Sequence, residues 1–326
     1  MKSYYKWVNI ARGFGIILVV IGHALTDTLG CKDGSISKLL YDIIYSFHMP
    51  LFFFISGFLA AKALSMVTLK DKTDYIVQRF KRLMVPYFCV GLLYIPLKLI
   101  LASEVNAKIN LQTLVSDFFV GYNPNYQLWT LYALFISATI IVIFVSKTNI
   151  YKWWLLFVAI LMNLFWAISY SPINIINELC FQFIFFVLGV IYRKQNQVAK
   201  ISIPYLIVAI FAFVGGNFLY QLYSLDIFKT ITGISGIIVV CEACKRIENH
   251  KNIILNTVGK YGMDVYIMAN IVQVLIRSIF LNRLHFPGII CFFMSVILGI
   301  ALPILVSKYI VRRFKITKIM ILGDYS

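Results

Sequence analysis

The chain has 326 residues, 61% of them hydrophobic and 13% charged, and a mean hydropathy of +0.85. A soluble domain of that length has too little interior to hide so much apolar surface, so composition excludes one and points to a polytopic membrane protein. The net charge of +17 does not indicate nucleic acid as a partner, because the basic residues lie between apolar spans rather than on one soluble face.

In chain order, ten apolar spans of bilayer-crossing length lie near 8–27, 40–63, 84–102, 127–146, 152–170, 174–192, 203–221, 227–244, 262–281 and 287–308. The first is too long for a cleavable signal, and no small-residue cleavage motif follows it. The connections alternate in charge. Lys2 and Lys6, then Lys70, Lys72, Arg79, Lys81 and Arg82, then Lys147 and Lys152 fall on one side. Arg193, Lys194 and Lys200, the 245–260 cluster and the C-terminal basic residues fall there too, while Lys32, Lys38, Lys108, Lys229 and Arg283 are sparse on the other. This bias predicts both termini in the cytoplasm and the 103–126 loop outside. The expected fold class is all-α, a polytopic integral membrane protein of about ten transmembrane helices, with residues 1–326 as a single membrane-embedded domain. Five of the six cysteines sit in or beside apolar runs, so they read as small hydrophobes without a disulfide framework or a metal site.

The first span, Asn9 to His23, carries the polar groups that lipid would reject. At 100° per residue, Arg12 and His23 differ by only about 20° around the helix, and Asn9 falls about 40° to the other side of His23. The three share one stripe, which must face a protein interior or a watery cleft. The second span contains His48, with Pro50 placed to kink it and Ser56-Gly57 allowing close backbone approach. Arg79 and Arg82, three apart before Pro86, lie on one helix face and could grip a phosphate together. Trp129 and Tyr132 open the fourth span.

The ordered set Asn9-Ile-Ala-Arg12-Gly13 with Gly22-His23, Phe47-His48-Met49-Pro50-Leu51-Phe52 with Ser56-Gly57, Arg79-x-x-Arg82 with Pro86-Tyr87, Leu128-Trp129 with Leu131-Tyr132, and Gly259-Lys260-Tyr261 leading to Tyr266 resembles membrane acyltransferase family 3, in its fucose acetylase-like branch. The resemblance covers essentially the whole chain. It implies transfer of an acyl group, usually acetyl from acetyl-CoA, to a hydroxyl of a cell-envelope carbohydrate. Two positions depart from the family pattern: Asn9 stands where many relatives have Asp, so it cannot form an ion pair with Arg12, and Asn270 stands where many have His.

The residues fit that chemistry in their own right. A sugar hydroxyl attacking a thioester must lose its proton, and a neutral histidine accepts one near pH 7. His23 is the candidate base, with Arg12, Asn9 and His48 as further candidate catalytic residues. Arg79, Arg82 and Arg12 are candidates for the phosphates of acyl-CoA, which enters as co-substrate; no bound cofactor is expected. Trp129 and Tyr132 could stack on a sugar, although an interfacial aromatic belt is their ordinary explanation. Arg12 could instead snorkel to headgroups, Arg79 and Arg82 could serve only as topology signals, and His48 could be a structural hydrogen-bonded residue. Glu178, Glu242, Asp264 and Arg277 lie in or near spans and are candidates to pair with one another. The expected partners are membrane lipids, acyl-CoA and a carbohydrate acceptor, in the cell membrane, and a homodimer is compatible with the sequence. The competing class is a transporter or flippase for a saccharide or a small lipid-linked substrate. That class favours internal repeats and paired broken helices, and the chain shows neither.

Overall fold

The computed structural model describes residues 5–66, 68–100, 110, 112–144, 151–169, 171–194 and 200–325. Lys2, Lys108, Lys147 and the opening of the 103–126 loop lie outside the described residues. Thirteen α-helices run through the rest, and no strand is found among the described residues. They are α1 Lys6–Ala24, α2 Ile36–Ala60, α3 Leu69–Ile100, α4 Leu114–Val120, α5 Trp129–Phe144, α6 Tyr151–Ile168 and α7 Asn174–Lys194. There follow α8 Ile203–Tyr223, α9 Ile227–Ile247, α10 Ile253–Lys260, α11 Gly262–Ile276, α12 Gly288–Val306 and α13 Lys315–Leu322. Three π-helical segments, Leu25–Leu29, Arg277–Arg283 and Ser307–Val311, directly extend α1, α11 and α12.

Nine helices among the described residues are long and apolar enough to cross a membrane. They coincide with nine of the ten expected spans. The remaining span, 152–170, is α6, whose apolar part Trp153–Ile168 is shorter than the other nine. The protein is therefore an all-α, multi-pass membrane protein. With no water in the hydrocarbon, every backbone N–H and C=O there must be bonded within the chain, which a helix achieves by itself.

The chain divides into two compact units. Unit 1 comprises Met1–Ile55 and Val198–Ser307, and unit 2 comprises Ser56–Gln197 and Lys308–Ser326.

In unit 1, α1 packs against α9, α10, α11 and α12. Burial of Trp7, Ile10, Ala11, Val20 and Ala24 follows from being enclosed on so many sides. Glycine makes that approach close. A Cβ on Gly13 would lie 2.1 Å from the Leu255 carbonyl oxygen, and one on Gly259 would lie 2.1 Å from the Asn9 carbonyl oxygen. α1 and α10 thus touch backbone to backbone, the small-residue packing that replaces the hydrophobic effect between helices in lipid. Gln273, fully buried on α11, donates from Nε2 to the Val20 carbonyl at 2.8 Å and ties that helix to α1. By contrast only 11% of the apolar window of α8 is buried, against 61% for that of α1. α8 is hydrophobic on its exposed faces because they meet lipid.

In unit 2, α3 packs on α5 and α13, and α6 packs on α7. The Tyr87 hydroxyl donates to the Phe118 carbonyl at 2.7 Å, and Asn123 Nδ2 donates to the Tyr87 carbonyl at 2.8 Å. Those bonds pin the α4 region to α3. α13 ends at Gly323, whose φ of +58° is the left-handed cap that glycine adopts without Cβ strain.

Candidate functional site

Residues of unit 1 build the candidate site along α1. On this helix Asn9, Arg12 and His23 are half-buried, while Ile10, Ala11, Gly13 and Val20 are buried.

At the His23 end the surroundings are aromatic. The His23 ring meets the Tyr45 ring edge-on at 6.2 Å between centroids, and Tyr45 meets the His48 ring at 4.6 Å. Tyr45 also stacks on Tyr41 at 3.9 Å. Gly22 makes room for this group, since a Cβ there would lie 2.8 Å from the Tyr45 ring. The two histidines are therefore brought together through one tyrosine, which the sequence reading overlooked. The signal was present: Tyr41, Tyr45 and His48 recur at four and three residues, the spacing of one helix face.

The histidines differ in their bonding. His48 is 2% exposed, and its Nδ1 lies 2.8 Å from the Ile44 carbonyl. A carbonyl can only accept, so Nδ1 carries the proton and Nε2 keeps its lone pair. His23 is half-buried, and its ring nitrogens have no hydrogen-bond partner among the described residues. Its own carbonyl accepts from the Thr26 hydroxyl at 2.9 Å.

Just beyond His23 the helix loosens to π at Leu25–Leu29, and so does α11 at Arg277–Arg283. The Arg277 guanidinium joins the two by donating to Asp27 at 2.8 Å, with each side chain only 11% exposed. π-segments concentrate at functional sites because they re-aim side chains out of the 3.6 register. Glu242 is met by Arg246 at 3.1 Å and Lys245 at 3.9 Å on its own helix, and Asp264 accepts from the Ser307 hydroxyl.

At the other end of α1, Asn9 Nδ2 donates to the Asn256 carbonyl at 3.1 Å and to Asn256 Oδ1 at 3.0 Å. A cavity of about 650 Å³ opens there, with Asn9 in its wall.

Unit 2 holds the remaining expected residues. Arg79 Nε donates to the Tyr75 hydroxyl at 2.8 Å and its guanidinium lies 5.1 Å from that ring's centroid. Arg82 Nη1 donates to the Leu322 carbonyl at 3.0 Å, capping the last turn of α13. A Cβ on Gly323 would meet the Lys81 carbonyl at 2.3 Å, so that cap docks α13 onto α3. Trp129 is 8% exposed, which no lipid-facing belt residue would be. Tyr132 is half-buried and tilted against Tyr87 at 5.4 Å.

Residues 5–308 match the model of acyltransferase family 3, an acyltransferase domain. The chain is 27% identical over 193 residues to nodulation protein NolL of Mesorhizobium japonicum (strain LMG 29417 / CECT 9101 / MAFF 303099), an alignment covering 57% of this chain and 47% of the relative. The chain thus spans about half the length of the curated relative it matches. No solved structure gives a significant match. With the all-helical membrane fold and a family model running from the start of α1 to the end of α12, the chain belongs to acyltransferase family 3.

Proposed function

We propose that the protein is a membrane O-acyltransferase, by resemblance an O-acetyltransferase. It moves an acyl group from cytoplasmic acyl-CoA to a hydroxyl of a cell-envelope or exported carbohydrate. The observation that carries the mechanism is His23, whose ring nitrogens have no protein hydrogen-bond partner among the described residues, at the far end of the helix that bears Asn9 and Arg12.

In this reading the acceptor hydroxyl gives its proton to a His23 ring nitrogen as its oxygen attacks the thioester carbonyl. The new C–O bond forms, the C–S bond breaks, and the coenzyme A thiolate leaves and is protonated by the imidazolium. General-base help of this kind supplies about 10²–10⁴-fold. His48, donating Nδ1–H to its own helix, is held as a positioning residue behind Tyr45. Arg12 lies about 16 Å of helix axis from His23, on the donor side. Arg79 and Arg82 are further candidate cations for the donor, each already sharing a guanidinium nitrogen with Tyr75 or Leu322. Trp129 and Tyr132 are the candidate sugar contacts. The charge bias supports cytoplasmic termini and residence in the cell membrane, with the donor entering from within and the acceptor outside.

The test is transfer of label from acetyl-CoA to a saccharide acceptor by the purified protein in lipid vesicles. Labelled saccharide ester is the expected product. Movement of the saccharide across the bilayer without ester formation would establish the transporter reading in its place.

A further inference from the structure

The cavity at the Asn9 end of α1 is lined by Asn9 and by Lys251, Asn252, Ile253, Asn256, Thr257 and Lys260. Two of these are cations, four have hydrogen-bonding side chains, and no carboxylate is among them. Both lysines are exposed, and Lys251 has no carboxylate partner among the described residues. Lys260 lies 5.6 Å from the Tyr261 ring, an arrangement that leaves its charge available. Asn256 is held with its Oδ1 accepting from Asn9, so its own amide donors remain for another partner. The wall is rigid because α10 touches α1 backbone to backbone at Gly13 and Gly259. A volume of about 650 Å³ lies inside the range of small-molecule sites, roughly 300–1,000 Å³.

We propose that this cavity holds the phosphate-bearing end of the acyl-CoA donor, with Lys251 and Lys260 on its phosphates and the Asn256 amide as a further donor to them. The proposal rests on the acyl-CoA reading above and adds the place where the nucleotide sits. It also sets the path. Asn9 and His23 are about 21 Å apart along the helix axis at 1.5 Å per residue. An extended pantetheine arm bridges that length along the Arg12 side of α1, where a bare acetyl group could not. The same phosphate chemistry would also suit an anionic lipid headgroup, so the test must separate the two.

Coenzyme A binding to the purified protein is measured by titration calorimetry in nanodiscs of phosphatidylcholine and in nanodiscs with added phosphatidylglycerol. Lys251→Gln/Lys260→Gln weakens binding about 100-fold, about tenfold for each charge-assisted hydrogen bond removed. Asn256→Asp keeps the oxygen that Asn9 needs but sets a negative charge in the cavity, and it too weakens binding about tenfold or more. If the wild type binds coenzyme A and the double variant and Asn256→Asp stay within about threefold, the cavity is not the nucleotide site, while the acyl-CoA reading stands. If the double variant binds coenzyme A like the wild type in phosphatidylcholine and differs from it only when phosphatidylglycerol is present, the lysines serve lipid headgroups and the proposal is overturned. If the wild type binds no coenzyme A in either bilayer, the donor reading and this proposal fall together.

Discussion

The two ends of α1 are built for different tasks. At the Asn9 end, helix backbones touch and the surrounding side chains are amides, a hydroxyl, one isoleucine and two exposed lysines around an open cavity. At the His23 end, a histidine without a protein hydrogen-bond partner among the described residues sits against Tyr45, near a sequestered Asp27–Arg277 pair. Exposed cations keep their hydration and can exchange it for a multiply charged ligand. A half-enclosed imidazole sheltered by aromatic rings is suited instead to holding and passing a single proton. Under the proposed reading, one helix would link a site for charge to a site for proton transfer.

The largest break in that comparison is chemical. His23→Gln keeps the size and polarity of the side chain but cannot take a proton, so transfer should fall by about 10²–10⁴-fold. Coenzyme A affinity should hold. Labelled acetyl transfer and calorimetry on the same preparation check both, and substantial turnover by this variant would remove His23 as the base.

The seam between α1 and α10 gives the next effect. Gly259→Ala drives a methyl into the Asn9 carbonyl, a backbone atom that cannot swing aside, and should cost about 1–3 kcal/mol of stability. Gly262→Ala is the matched control, since its Cβ would meet only the Ile16 side chain at 3.4 Å, an ordinary approach. Thermal unfolding in detergent compares them, and equal melting of the two would mean the seam can relax.

His48→Gln sharpens the contrast between the histidines. Its amide keeps a polar group of similar size but takes no proton, so activity should persist within about tenfold if His48 only positions Tyr45. A loss as deep as that of His23→Gln would make His48 a second proton-transfer residue.

The smallest effects are expected at Arg82 and Arg79. Arg82→Ala removes a donor from the last turn of α13 and should cost about 1 kcal/mol. Arg79→Ala removes a partly exposed hydrogen bond to Tyr75 and should cost less. A donor KM raised about tenfold by either variant, at unchanged melting temperature, would support that arginine as a donor contact, and an unchanged KM would leave it a structural residue.

Much of this architecture was legible in the residues. Spans of about twenty apolar residues can only be helices in a bilayer, so nine of the ten expected segments are found as helices able to cross it. The tenth is also a helix, α6, whose apolar part among the described residues, Trp153–Ile168, is shorter than the other nine. The stripe from Asn9 to His23 followed from a single period, 3.6 residues per turn, and needed no partner helix to infer. What each polar side chain meets could not be read this way. Arg277 finds Asp27, 250 residues earlier in the chain, and Arg82 finds the carbonyl of Leu322. Asn9 bonds Asn256 because Gly13 and Gly259 let two backbones meet. Helical period is a local property, fixed within a few residues. Hydrogen-bond and charge partners depend on which helix lies alongside, so only the tertiary structure decided that Arg82 caps a helix while Lys251 and Lys260 stand around an open cavity.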